Sequence, residues 1–112
     1  MSARLATRLW LAQRASAAVL ALCVAVHLAT MIAAVRGGLS ATEILNRTRG
    51  SLGWATFYGL FVLAVSIHAP IGLRTVAAEW LGWRGGRADA ACTVFGIALL
   101  LLGALAIAAV TR

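Results

Sequence analysis

The chain has 112 residues, 62% of them hydrophobic and only 12% charged, whereas charged residues make up about a quarter of a soluble domain. A mean hydropathy of +0.95 excludes an ordinary soluble enzyme and makes a lipid bilayer the natural solvent. The net charge of +7 comes from ten basic residues, all arginine, against three acids. Those arginines flank apolar runs instead of forming a basic and aromatic stripe on a soluble face. They fit topology and lipid headgroups, and a nucleic-acid partner is set aside.

The first uncharged run lies between Arg14 and Arg36, about 21 residues, enough to cross a ~30 Å hydrocarbon core at ~1.5 Å per residue. It is longer than the roughly 7 to 15 apolar residues of a cleaved signal peptide and reads as a retained span. Gln13, Ser16, Cys23, His27 and Thr30 fall on one face, within about 60° of His27 at about 100° per residue. Ala17, Ala21, Ala25, Ala29 and Ala33 form a small-residue series at spacing four; it marks either a second helix contact or simply the abundance of alanine.

The connection from Arg36 to Gly50 opens with Gly37-Gly38, a helix stop. It continues with Ser40-Ala41-Thr42-Glu43, whose spacing predicts a capping box and a short interfacial helix. A second uncharged run goes from Ser51 to Leu73 and ends at Arg74. On its helix, Phe57, Phe61, His68, Gly72, Thr75 and Glu79 share a face. Gly72, one turn after His68, offers a bare backbone on which a planar ligand could lie beside the imidazole. Pro70 lacks the N–H needed for helix bonding and predicts a bend there. Trp80, Trp83, Arg84, Gly85, Gly86 and Arg87 mark a membrane boundary. The third run, Ala90 to Thr111, has Cys92, Thr93 and Thr111 as its polar residues and suits lipid, with Gly96 and Gly103 as a packing seam.

These features predict an all-α integral membrane protein in one domain, 1–112. Its three transmembrane helices cover about 10–35, 52–78 and 90–111, with a short interfacial helix between the first and second. Six arginines (Arg4, Arg8, Arg14, Arg74, Arg84 and Arg87) lie on one side and four (Arg36, Arg47, Arg49 and Arg112) on the other. That bias places the N-terminus in the cytoplasm. Cys23 and Cys92 have no CxxC spacing and read as packing residues.

Chemistry within the spans rests on His27 and His68. An imidazole in a bilayer is costly unless it binds metal, relays a proton or meets a hydrogen-bonding partner; haem ligation and a structural hydrogen bond both remain open on this ground. No nucleophile, base and orienting acid, and no paired carboxylates, support hydrolysis. His27 lies about 20 Å beyond Arg14 along its helix and His68 about 9 Å before Arg74, so the two sit at different depths. They cannot bind one iron together. Each would need a partner histidine from another polypeptide or a second copy of this chain.

The pattern His68, Gly72-Leu73-Arg74 and Glu79, with Gln13-Arg14-Ala15-Ser16 opening the first span, resembles the cytochrome b membrane-anchor subunits of succinate dehydrogenase and fumarate reductase. The resemblance covers roughly Arg8 to Trp83. It implies an anchor that binds haem b and holds a flavoprotein subunit and an iron-sulfur subunit at a bacterial cytoplasmic membrane. Electrons would pass between the iron-sulfur subunit and quinone, and the chain would not itself oxidise succinate. By the same resemblance His68 is an axial haem ligand, and Arg14 and Ser16 lie near the quinone. Where some members have serine four residues before that arginine, this chain has Trp10. Anchors with two haems carry a ligand in their first helix, the role implied for His27; Gly72 would face the haem and Arg74 a propionate. The competing readings are a haem-free scaffold or assembly protein, a dimeric transporter, and a cytochrome b subunit of another redox complex.

Overall fold

The computed structural model describes all 112 residues, arranged as four helices: α1 (Ala3–Arg36), α2 (Ala41–Thr48), α3 (Leu52–Trp80) and α4 (Gly86–Thr111). Three of them, α1, α3 and α4, are long and apolar enough to cross a membrane. The fourth, α2, is the short helix expected between the first two spans.

α1 starts well before the expected boundary near residue 10. Nothing between Ala3 and Arg14 breaks a helix, and the Ser2 hydroxyl caps the start by accepting from the Leu5 N–H at 3.2 Å. Its 34 residues span about 51 Å at ~1.5 Å per residue, more than a ~30 Å hydrocarbon core. Arg4 and Arg8 therefore ride on a helical extension beyond the apolar layer. α1 ends at Gly37, and Gly38 adopts φ +65°, a left-handed conformation that favours glycine.

α2 begins with the expected capping box. The Ser40 N–H donates to Glu43 Oε2 at 2.6 Å, and the Glu43 N–H donates to Ser40 Oγ at 3.2 Å. The Ser40 backbone bond, aided by its hydroxyl, holds the Glu43 carboxyl below its ordinary value. The far end of α2 is stapled to the end of α4: Thr48 Oγ1 donates to the Val110 carbonyl at 2.6 Å, and the Gly50 N–H donates to the Thr111 carbonyl at 2.8 Å. Two carbonyls that α4 leaves unpaired at its terminus are thereby satisfied.

α3 is central, with α1 and α4 each packed against it. The expected glycine seam of α4 faces α3. A Cβ on Gly96 would lie 2.6 Å from Pro70 Cγ and 3.2 Å from the Ser66 carbonyl, and one on Gly103 would collide with Val62. Pro70 sits inside a continuous α3 and cannot donate to Ser66. Gly96 lets α4 approach that carbonyl where a side chain would not fit.

Only 8 of 112 residues are buried, and no large side chain is fully enclosed. Cohesion between the helices therefore comes from close approach of small residues, and most apolar surface is left for lipid or neighbouring chains. Cys23 and Cys92 are free and buried, in keeping with packing roles. Ala21, Ala25, Ala29 and Ala33 are exposed while Ala17 is half-buried, so most of the alanine series is turned away from the other helices of this chain. The second connection is shorter than expected: α4 starts at Gly86, after Gly85 at φ +96°. Arg74 and Asp89 tie α3 to α4 there, Nε to Oδ1 at 2.6 Å.

Candidate functional site: two histidines along the α1–α3 seam

His68 projects from α3 onto the polar face of α1. Its Nδ1 is 3.4 Å from Ser16 Oγ, and that hydroxyl also donates to the Gln13 carbonyl at 3.1 Å. A hydroxyl has one proton to give, so with that proton on the Gln13 carbonyl, Nδ1–H donates to Ser16. The lone pair of His68 then lies on Nε2. Ser16 is buried and His68 half-buried.

Gln13 supplies the other half of this corner. Its Nε2 would be 3.3 Å from a Cβ on Gly72, while its Oε1 is buried without a hydrogen-bond partner. The bare backbone at Gly72, expected to receive a planar ligand, is thus covered by the Gln13 amide. Arg74, expected to face a carboxylate of such a ligand, is engaged by Asp89. Arg14 is exposed and stands apart from Ser16, its guanidinium carbon 5.3 Å from the centroid of the Trp10 ring. Of the residues singled out in the sequence, His68 and Ser16 are brought together, with Gly72 linked to them through Gln13.

His27 sits elsewhere. It is 11 residues beyond Ser16 on α1, about 16 Å further along the helix axis, which bears out the expected difference in depth. Its ring meets Tyr58 and Phe61 edge-on, with centroids 5.8 Å and 5.7 Å away. Trp54 stacks on Tyr58 at 5.7 Å and extends this aromatic cluster. His27 Nδ1 is buried and has no hydrogen-bond partner. Two cavities meet its ring: one of about 490 Å³ reaching Arg47 and Trp54, and an apolar one of about 410 Å³ between α1, α3 and α4, bounded by Phe61, Val65 and Ile107. Ile44 and Thr48 of α2 border both.

No three His, Cys, Asp or Glu side chains gather anywhere in the chain, so it lacks the donor set for a bare metal ion. A haem needs only axial donors, because its macrocycle supplies the remaining nitrogens. His68 fits that requirement. Iron-binding histidines almost always carry a partner on the second ring nitrogen, which fixes tautomer and orientation, and Ser16 stands in that position. His27 fits less well, because its Nδ1 lacks such a partner.

The Ser16–His68 pairing was hidden by the distance between the residues in sequence. Equal depth was the available signal: Ser16 follows Arg14 by two residues and His68 precedes Arg74 by six, placing both within about 10 Å of one boundary. The same signal marked Gln13 and Gly72, one residue before Arg14 and two before Arg74, whereas none marked Arg47 beside the His27 cavity.

Three spanning helices, an interfacial helix and a supported imidazole within a span define a membrane-embedded helical subunit. The chain belongs to the succinate dehydrogenase/fumarate reductase transmembrane subunit family, whose family model matches residues 1–109. No curated protein and no solved structure matches it. Membership makes it the membrane subunit of a complex of that type.

Proposed function

We propose that this chain is a haem b-binding anchor that passes electrons between an iron-sulfur subunit and quinone. The observation carrying the reading is His68, with Nδ1 supported by Ser16 and Nε2 free, inside the motif ending Gly72-Leu73-Arg74. A bound haem b would supply one-electron redox chemistry there. The chain's own residues would orient the imidazole: Ser16 faces its Nδ1, and Gly72 leaves room for the Gln13 amide where α1 meets α3. With His27 at another level, a haem held by His68 would take any second histidine from another anchor chain or a second copy of this one.

The His68 end is also the end bearing Arg4, Arg8 and Arg14. In this reading it faces the cytoplasm of a bacterial cell, where the iron-sulfur and flavoprotein subunits dock. Quinone approaches the same end near Arg14 and Ser16. Since Ser16 is occupied with His68, Arg14 is the freer contact for a quinone oxygen. Haem at His27 as well is the second reading, favoured by its separate depth; its unsupported Nδ1 leads us to assign one haem, at His68.

The test is the reduced-minus-oxidised optical spectrum of the complex, purified with its companion subunits. Wild type is expected to show b-type bands, and His68→Ala to lose them while the chain still inserts. Bands unchanged in His68→Ala would reject the assignment. A complex with no haem that still delivers electrons to quinone would leave the anchor role without the cofactor.

A further inference from the structure

The geometry points to a binding site for one anionic phospholipid at the α2 end, with its phosphate on Arg47 and its apolar part in the two cavities that meet at His27. Charge provides the first observation. The segment between the first two spans holds Arg36, Arg47 and Arg49, and its only acid, Glu43, is committed to the Ser40 N–H at 2.6 Å. The chain's one salt bridge, Arg74 to Asp89, lies at the opposite end. None of the three guanidinium groups forms a salt bridge; Glu43 lies near enough to Arg47 to feel its charge but does not pair with it.

Shape and burial provide the second. Arg47 borders the cavity of about 490 Å³ that runs past Trp54 and Tyr58 to His27, where the apolar cavity of about 410 Å³ begins. A cation at the mouth of a largely apolar space suits an amphiphile with an anionic head. A soluble anion would leave the apolar walls unused. His27 Nδ1, buried and unpartnered where the two spaces meet, is placed for a lipid oxygen below the phosphate. Iron held on Nε2 would leave that nitrogen without support.

The full chain, purified with its accompanying subunits in neutral detergent, is titrated with bicelles of dioleoyl phosphatidylglycerol or dioleoyl phosphatidylcholine, and separately with inorganic phosphate. Thermal unfolding is the readout, with native mass spectrometry to count retained lipid. Phosphatidylglycerol is expected to raise the midpoint and remain bound, and the other two to do neither. Arg47→Gln should weaken the phosphatidylglycerol response about fivefold, the effect of one arginine at an anionic lipid surface. Arg47→Lys should retain most of it, and Arg4→Gln at the far end should leave it unchanged. Equal responses to both lipids, a response to phosphate alone, or equal losses in Arg47→Gln and Arg4→Gln would overturn the site. So would loss of a haem equivalent in His27→Ala.

Discussion

The two histidines of this chain occupy the same seam between α1 and α3 and are treated in opposite ways. At the N-terminal end, His68 has its Nδ1 tied to a buried hydroxyl, and the small residue beside it is covered by the Gln13 amide. At the α2 end, His27 is ringed by Tyr58 and Phe61, its Nδ1 has no partner, and open space adjoins it. The first arrangement fixes an imidazole's direction and leaves one donor free. The second surrounds the ring with aromatic groups and leaves its Nδ1 without a hydrogen-bond partner. A histidine within a span therefore does not announce one chemistry; the group on its second nitrogen distinguishes them.

The largest test of this contrast is to remove each ring in turn. His68→Ala should abolish haem retention, measured as haem per chain, while His27→Ala should leave it intact. Next comes a change confined to the His27 end. Gly103→Leu drives a side chain into Val62, and overpacking of this kind costs about 1–3 kcal/mol. A lower thermal midpoint with an unaltered haem spectrum is expected; a parallel loss of haem would mean that the two ends are not independent.

Ser16→Ala should make the His68 end resemble the other. Loss of such a supporting partner lowers metal affinity by about 10- to 100-fold, so haem should dissociate faster and its midpoint potential should move, as followed by haem transfer to an acceptor protein and by redox titration. Unchanged values in both would assign Ser16 to packing alone.

Smaller still is the α3–α4 ion pair. Arg74 and Asp89 are both partly exposed, and exposed pairs contribute about 0–1 kcal/mol. Asp89→Asn should shift thermal stability only slightly. The smallest effect concerns the roof over the His27 cavities. Glu43 has its folded value depressed by the Ser40 bonds, so its contribution to α2 is fully present above the ordinary carboxylate range and is lost as pH falls through the depressed value. Protection of the Ser40 and Glu43 amides, taken relative to their intrinsic exchange rates, should fall only on that acidic side, and Glu43→Ala should remove that pH dependence.

Much of this architecture could be read from the chain in advance. Uncharged runs between charged residues located all three spans, and Ser40 with Glu43 located α2, because desolvation and capping act over short stretches of sequence. Helix ends were less legible: arginines mark where the hydrocarbon stops, but a helix with no breaker continues past that point, as α1 does back to Ala3. The Gly96 and Gly103 seam was visible as a spacing, whereas its target on α3 was not. Contacts between distant residues were the hardest to foresee. Ser16 with His68, Gln13 over Gly72, and Thr48 with Val110 depend on helix rotation and relative depth, which a hydropathy pattern constrains only loosely. Arg74 could have faced a ligand or Asp89, and only the position of α4 decides between them.

The most direct measurement is the low-temperature electron paramagnetic resonance spectrum of the oxidised complex, recorded in parallel for the wild type and the two alanine variants. The wild type should give the signal of low-spin ferric haem between two imidazoles. That signal should be absent after His68→Ala and present after His27→Ala. A signal that survives loss of His68 would contradict the account.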